Sequence, residues 1–131
     1  RESKDKALGQ PEKYSVENHI EFLENHLLTH YTVLLALELT QIQVVGIVAF
    51  QEDEINQLYI HPAYQGKGIG SRLLKIAQDK SIGRLWLFTF EMNRDAKRFY
   101  ESHGFKIIGR GFENEENLPD IKYEWSRMNQ R

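Results

Sequence analysis

The stretch LYIHPAYQGKGIGS, residues 58–71, decides which fold we predict for this chain. A short apolar run ends near Pro62, and three alternating glycines then precede the amphipathic stretch RLLKIA of residues 72–77. This order predicts a strand, a turn, a glycine-rich loop and a helix. Such a loop presents backbone N–H groups at a helix N-terminus, where the helix dipole favours an anion, and Lys67 adds a full positive charge. We therefore predict a phosphorylated ligand at this loop.

The spacing of the glycines narrows the choice of ligand. A P-loop needs a hydroxyl residue after its lysine, but Lys67 is followed by Gly68. A dinucleotide fingerprint needs a third glycine where this chain has Ser71 or Leu73. What remains, Gln65-x-x-Gly68-x-Gly70, resembles the loop with which the GNAT superfamily of N-acetyltransferases holds the pyrophosphate of acetyl-CoA.

A second block, NRDAKRFYESHGF at residues 93–105, follows the apolar run LWLFTF of residues 85–90. Its pattern N-x-x-A-x-x-F-Y-x-x-x-G-F is similar to the second conserved block of the same superfamily, in the same order and at the usual separation. The resemblance is close over residues 44–111, looser over 112–127 and weakest over 1–30.

Each block also has a purely structural explanation. Asn93 is a good helix N-cap, Gly104 a natural helix stop, and Phe99 fits a core position. These local roles are compatible with function, but they do not explain why both blocks occur together at one family's spacing.

The composition limits the number of domains and the kinds of partner that we expect. With 131 residues, 40% of them apolar and 27% charged, the chain is expected to form one domain over 1–131. A net charge of −2 offers no electrostatic basis for a nucleic-acid or membrane partner. The chain contains no cysteine, which is compatible with the cytoplasmic location that we predict. We expect a monomer or a homodimer.

The apolar patterns predict an α+β fold in which helices alternate with strands. The resemblance implies a GNAT-like mixed, mostly antiparallel sheet flanked by helices in three αβα layers. We expect residues 1–13 to be irregular and the family's first strand to be absent or replaced. The predicted helices are Val16–His30, Gly68–Lys80 and Arg94–His103. The predicted strands are Thr32–Leu39, Gln43–Phe50, Glu54–Ile60, Arg84–Phe90, Phe105–Arg110 and Pro119–Met128, the last with Ile121, Tyr123 and Trp125 on one face.

The resemblance also implies which residues hold acetyl-CoA as a co-substrate. By position, the backbone of Leu58, Tyr59 and Ile60 would bond the amides of the pantetheine arm, and Asn93 would bond that arm near the thioester. The loop that would surround the pyrophosphate comprises Gln65, Gly66, Lys67, Gly68, Ile69, Gly70 and Ser71.

For catalysis, Tyr100 matches the family tyrosine, and a phenol is protonated at neutral pH and able to protonate a departing thiolate. The alternative is a packed tyrosine that only positions the cofactor sulfur. Glu54 is the candidate general base, with Glu91 or a chain of water molecules as alternatives. Another subgroup of the family has a glutamate in the fifth strand as its base, and this chain has Phe88 at that position.

The sequence gives the least information about the acceptor amine. The segment ENEENLPD, residues 113–120, carries four carboxylates and would attract a cationic amine, unless it is only a solvated loop. We expect no metal, because His26 and His30 have helical spacing but lack the glutamate of a zinc motif. Two other functions remain open, a non-catalytic acyl-CoA-binding module and an interaction domain with the same fold.

Overall fold

The computed structural model describes residues 12–16, 19–26 and 30–129, which fall into two compact units. The first unit contains the residues up to 51 together with 55–79, and the second contains 52–54 and the residues from 80 onward. Over the described ranges the chain forms eight strands and two α-helices, and the paired strands run antiparallel. This confirms the predicted α+β, mostly antiparallel class. Neither of these two helices is long and apolar enough to cross a membrane.

The first unit is a five-stranded sheet whose strands follow one another in chain order. These strands are β1 (Glu12–Val16), β2 (Ile20–His26), β3 (Thr32–Glu38), β4 (Gln43–Phe50) and β5 (Ile55–Ile60). A short 3-10 turn, Pro62–Tyr64, leads to helix α1 (Ile69–Lys80). The strands β3 to β5 and the helix agree with the predicted ones to within a residue at each end.

Helix α1 packs on the sheet beside Gly46, and this contact explains the glycine in β4. A Cβ atom at Gly46 would lie 3.0 Å from Cδ1 of Ile60 and 3.2 Å from Cδ1 of Leu73. A larger residue at this position would therefore require the side chains of Ile60 and Leu73 to shift, which favours glycine where the helix packs on the strand. The buried face of α1 consists of Ile69, Leu73, Leu74, Ile76 and Ala77.

The helix predicted over Val16–His30 is wrong, because the described part of this segment forms β1 and β2. Strand β2 pairs with β3 along its whole length, from Ile20 opposite Glu38 to His26 opposite Thr32. Phe22 and Glu24 are both buried, as alternate residues of a strand are. The segment carries apolar residues at helical and at strand spacing, and pairing with a buried neighbour outweighs the local helical preference. The helical spacing of His26 and His30 is lost with it.

The start of the chain differs from the prediction in a second respect. Residues 12 and 13, expected to be irregular, begin β1. Residues 1–11 lie outside the described residues, so the absence of the family's first strand stays a prediction.

The second unit is a three-stranded sheet with one helix. It contains β6 (Arg84–Phe90), helix α2 (Arg94–Ser102), β7 (Lys106–Gly111) and β8 (Asp120–Ser126), and β8 lies in the centre of the sheet. The segment 52–54 runs along β6, where Glu54 forms a parallel bridge with Trp86. The predicted face of β8 is confirmed as core, since Ile121, Tyr123 and Trp125 are all buried.

Candidate functional site

Strand β5 presents an open backbone edge in the sheet of the first unit. Leu58, Tyr59 and Ile60 pair with β4 on one side, and β5 is the last strand of the described sheet order. The backbone groups of an edge strand are available to an extended ligand that adds to the sheet. Binding of the pantetheine arm to residues 58–60 stays a prediction, and an edge strand is compatible with it.

Two side chains fix the path of the chain after β5. The Nδ1 atom of His61 accepts a hydrogen bond from the backbone N–H of Ala63 at 3.0 Å and so caps the 3-10 turn. The side-chain amide of Gln65 donates to the carbonyl oxygen of Ile60 at 3.1 Å. The first residue of the Gln65-x-x-Gly68-x-Gly70 motif therefore ties the loop back to the end of the strand.

The glycine loop, residues 65–71, depends on glycine for its backbone conformation. Gly66 has a φ angle of +77° and Gly68 one of +86°, which is the left-handed region. A Cβ atom at either position would meet nothing within 4 Å. Because neither glycine is needed for packing inside the protein, the open space beside both can admit a ligand.

The loop also supplies positive electrostatic potential. The N–H of Arg72 donates to the carbonyl of Gly68 at 3.0 Å, and helix geometry leaves the N–H groups of the preceding first turn, including Ile69 and Gly70, without an intrahelical acceptor. The Lys67 side chain beside them is exposed. These groups fit a pyrophosphate, which needs several N–H donors and a cation.

In the second unit, Asn93 and Tyr100 lie on the same helix. The Oδ1 atom of Asn93 accepts from the N–H of Ala96 at 3.0 Å, so Asn93 is the N-cap of α2. Tyr100 lies seven positions after Asn93 in the sequence, which is about two turns of helix. Both residues therefore lie on one side of α2, about 10 Å apart along its axis. The N-cap bond uses the side-chain oxygen Oδ1 of Asn93. The Nδ2 atom of the same side-chain amide carries two N–H donors, and Asn93 is exposed.

Tyr100 is held by the way in which α2 ends. The N–H of Phe105 donates to the carbonyl of Tyr100 at 3.0 Å and that of Gly104 to Glu101 at 3.2 Å, which is a Schellman motif with Gly104 at a φ of +89°. The motif brings the Phe105 ring edge-on to Tyr100, with 5.4 Å between ring centroids. The predicted helix stop at Gly104 therefore also orients the candidate acid.

The hydroxyl of Tyr100 stays protonated in this environment. Tyr100 is 8% exposed, and burial raises its pKa from 10 to about 12. Its hydroxyl has no hydrogen-bond partner among the described residues. Tyr123, by contrast, donates to Oε2 of Glu101 at 2.7 Å, and its pKa is raised by burial and by that carboxylate.

The two candidate bases differ in their surroundings. Glu54 is half-buried at the point where its segment bridges Trp86 of β6. Glu91 forms an ion pair with Arg110, with 3.1 Å between Oε2 and the guanidinium nitrogen. Oε2 of Glu91 is therefore already engaged by Arg110, and Glu54 remains our first candidate for the base.

Sequence reasoning missed a pocket in the second unit. It has a volume of about 370 Å³ and is lined by Phe88, Thr89, Phe90, Glu113, Asn114 and Asp120. Of the four carboxylates of segment 113–120, only those of Glu113 and Asp120 line it. The alternating residues Phe88 and Phe90 at the end of a strand were the available indication of a shared face.

Comparisons with known proteins show the family to which the chain belongs. The model of the "Acetyltransferase (GNAT) domain" family matches residues 29–107. The peptidyl-lysine N-acetyltransferase YiaC of Escherichia coli is 26% identical over 84 residues, 63% of this chain and 57% of that protein. The spermine/spermidine N(1)-acetyltransferase of Bacillus subtilis is 35% identical over 60 residues, 42% of this chain and 40% of that protein.

A solved structure has a fold similar to that of this chain. A streptothricin acetyltransferase described as putative, from Bacillus anthracis in complex with acetyl coenzyme A, superposes with a TM-score of 0.66 at 17% identity, over 89% of this chain and 82% of that one. The chain spans between about a third and three fifths of the length of the curated relatives it matches. Since the family model covers well over half of the sequence, the chain belongs to the GNAT acetyltransferase domain family.

Proposed function

We propose that residues 1–131 form a single cytoplasmic acetyltransferase domain that moves an acetyl group from acetyl-CoA to a primary amine. The observation that carries the proposal is the glycine loop. Gly66 and Gly68 both have positive φ angles, and the side on which a Cβ would lie is open at both. A loop that is built this way after an edge strand suits a phosphate group with an extended arm.

The binding roles follow from the backbone groups that are available. The edge of β5 at residues 58–60 would pair with the amides of the arm, and the glycine loop, residues 65–71, would hold the pyrophosphate. The side-chain amide of Asn93 would donate to the arm near the thioester, while its oxygen remains the cap of α2. Acetyl-CoA supplies the activated acetyl group as a thioester.

Acetyl transfer requires three proton transfers: the amine nitrogen loses two protons and the departing sulfur gains one. The amine must lose a proton before it attacks, because alkyl amines are charged at neutral pH. Glu54 accepts this proton, and a chain of water molecules is the alternative acceptor. As the nitrogen–carbon bond forms and the carbon–sulfur bond breaks, the nitrogen loses its second proton to solvent, which leaves a neutral amide. The hydroxyl of Tyr100 gives its proton to the departing sulfur and regains one from solvent. Burial of Tyr100 keeps that proton in place until it is needed.

The names of the two curated relatives support a primary amine as the acceptor. One is named for peptidyl-lysine and the other for spermine and spermidine, and each offers a primary alkyl amine. These substrates belong to the relatives, and for this chain they define the class of amine to be tested first.

Two measurements test the proposal. In a thermal unfolding experiment, acetyl-CoA at 100 times its Kd should stabilise the chain by about 2.7 kcal/mol, whereas NAD and ATP should not. Detection of released thiol should then find acetyl transfer to at least one amine in a panel of alkyl amines. Absence of a melting shift at millimolar acetyl-CoA contradicts the binding role. A shift without thiol release favours the non-catalytic acyl-CoA-binding module.

A further inference from the structure

We propose that His61 is a positioning residue for the glycine loop, residues 65–71, and that acetyl-CoA affinity falls when its imidazole takes up a proton. The inference rests on the proposed function, in which this loop holds the pyrophosphate of acetyl-CoA. It is carried by the hydrogen bond in which Nδ1 of His61 accepts from the backbone N–H of Ala63 at 3.0 Å.

His61 joins the turn after β5 to the sheet of the first unit. Its backbone N–H donates to the carbonyl of Val45 in β4 at 2.8 Å, and its own carbonyl accepts from the N–H of Tyr64 at 2.8 Å. Because Pro62 has no N–H, the first N–H of the turn is that of Ala63, and it bonds to the His61 ring. The backbone and the side chain of this one residue therefore hold the turn against β4.

The glycine loop follows this turn without a spacer. Gln65, the first residue of the loop, is also the C-cap of the 3-10 turn, and Gly66 with its φ of +77° comes next. A change in the direction of the turn is therefore passed on to the loop. Several backbone N–H groups must converge on one anion in such a site, so a displaced loop binds the pyrophosphate less well.

Only a neutral imidazole can make the bond with Ala63. A neutral ring has one N–H group and one acceptor nitrogen, and since the N–H of Ala63 is the donor, Nδ1 is the acceptor and the ring proton is on Nε2. In an imidazolium both nitrogens are donors, so the N–H of Ala63 would face a second donor. Imidazole side chains change their protonation between about pH 5 and 8. The bond should therefore be lost as the pH falls through this range.

The surroundings of His61 offer no carboxylate in exchange for this bond. Its ring meets the Tyr64 ring edge-on, with 5.8 Å between centroids. The strands β4 and β5, the turn and the start of α1 contain no aspartate or glutamate, and within the described ranges no ion pair reaches His61. The other ionisable side chains of these segments are two phenols and two cations, namely Tyr59, Tyr64, Lys67 and Arg72.

Two effects of the proton on acetyl-CoA affinity oppose each other. The charge of an imidazolium favours a nearby phosphate, whereas loss of the bond to Ala63 displaces the loop. His61 is only half-buried, and in 0.15 M salt charges are screened over about 8 Å. Loss of a cap bond is worth a factor of about five in an equilibrium constant. We therefore expect the lost bond to dominate at this salt concentration, and the direction of the pH dependence distinguishes the two effects.

The test is calorimetric titration with acetyl-CoA in 0.15 M salt at pH 7.5 and pH 5.5. His61→Asn keeps an acceptor, because Oδ1 of asparagine occupies the branch position of Nδ1 and accepts an N–H at both pH values. It also supplies the baseline, since the phosphate monoester of acetyl-CoA itself takes up a proton near pH 6. On acidification, wild-type affinity should fall about five-fold more than that of His61→Asn.

Two further variants complete the series. His61→Ala has no cap at either pH, so it should bind weakly at pH 7.5 and show the same pH dependence as His61→Asn. His30→Asn makes the matched change at an exposed histidine outside the turn and the loop, and it should behave as wild type.

A measurement without acetyl-CoA separates this inference from the proposed function. The amide NMR signals of Ala63, Gly66 and Gly68 should move together as the pH falls from 7.5 to 5.5 in the wild type, and stay in place in His61→Asn. Such movement in a chain that fails to bind acetyl-CoA would support the positioning role while contradicting the proposed function. Equal pH dependence of affinity in wild type and His61→Asn, or a wild-type affinity that rises on acidification relative to His61→Asn, would overturn the inference.

Discussion

The two units offer a ligand different kinds of groups. In the first unit, the glycine loop presents backbone N–H groups, and its shape depends on the positive φ angles of Gly66 and Gly68. In the second unit, the candidate site presents side chains, namely the buried phenol of Tyr100 and a pocket beside the loop that Asn114 closes. A backbone site should respond to changes in conformation, whereas a side-chain site should respond to the removal of single atoms or charges. The following five experiments test that difference, from the largest expected effect to the smallest.

Tyr100→Phe removes one oxygen atom and should have the largest effect. We expect kcat to fall by about 10² to 10⁴, the usual contribution of a positioned acid, with acetyl-CoA affinity largely kept because the ring still packs on Phe105. Single-turnover transfer at saturating acetyl-CoA measures the step. The matched control is Tyr123→Phe, which loses its bond to Glu101 and should reduce stability rather than kcat. Transfer at the wild-type rate by Tyr100→Phe would make Tyr100 a packing residue.

Gly68→Val tests the backbone site. A β-branched residue resists the φ of +86° and places methyl groups in the open space beside the loop, so we expect acetyl-CoA affinity to fall at least 100-fold in a folded protein. Calorimetric titration measures the affinity. Gly109→Ala is the control, because its Cβ would meet only the Cβ of Lys122 at an ordinary 3.9 Å. Unchanged affinity in folded Gly68→Val would place the phosphates elsewhere.

Stability at high pH tests the burial of Tyr100. Its pKa is about 12 in the folded chain and near 10 when unfolded, so the stabilisation is complete below pH 10. As the pH rises from 10 towards 12, the unfolded chain loses this proton first, and stability should fall by about 1.4 kcal/mol per pH unit. Urea unfolding at pH 8 to 11 should show a shallower decline for Tyr100→Phe than for wild type.

Asn114→Ala tests the closure of the loop at residues 113–120. The substitution removes three hydrogen bonds, to Leu118 in both directions and to Asp120, and should lower the free energy of unfolding by about 1–3 kcal/mol. Denaturant unfolding gives this value, and hydrogen exchange should show opening confined to residues 112–120. Glu116→Ala, at an exposed position of the same loop, is the control. Asn117→Ala is unsuitable, because Asn117 has a φ of +57° and alanine there would be strained. Equal losses in the two variants would contradict the role given to Asn114.

Ile42→Gly is the converse of Gly68→Val. Ile42 is a β-branched residue with a φ of +53° and a side chain that is 79% exposed. A left-handed conformation costs such a residue about 1–2 kcal/mol, and glycine removes this cost while adding freedom to the unfolded chain. We expect a net gain of up to about 1 kcal/mol in thermal unfolding. A clear loss would show that the turn at residues 39–42 is held by contacts of the Ile42 side chain.

The candidate binding residues were predictable because their pattern is local. The strand, turn, loop and helix of residues 55–80 follow one another in the sequence, and each has its own composition and periodicity. The N-cap at Asn93 and the helix stop at Gly104 were predictable for the same reason, since a cap bonds to atoms three to five residues away.

Other features depend on residues that are distant in the sequence. The pocket of the second unit joins residues 88–90 to residues 113, 114 and 120, and the Glu91–Arg110 pair spans two strand ends. No periodicity within either segment encodes such a meeting, because it follows from the pairing of β6 and β7 with the central strand β8. The segment at residues 16–30 failed as a prediction for a related reason. Its apolar residues fit both periods, and only the partner strand β3 selected one of them.

The amino-acid sequence by itself determined the family, the order of the elements from residue 32 onward and the glycine loop, since short-range spacing and backbone conformational preferences specify all three. Tertiary structure decided the strand conformation of residues 20–26, the raised pKa of Tyr100 and the walls of the pocket between residues 88–90 and 113–120. Each of these arises from burial or from hydrogen bonding between distant segments, and a side chain's solvation is set by what packs against it rather than by its neighbours in the chain.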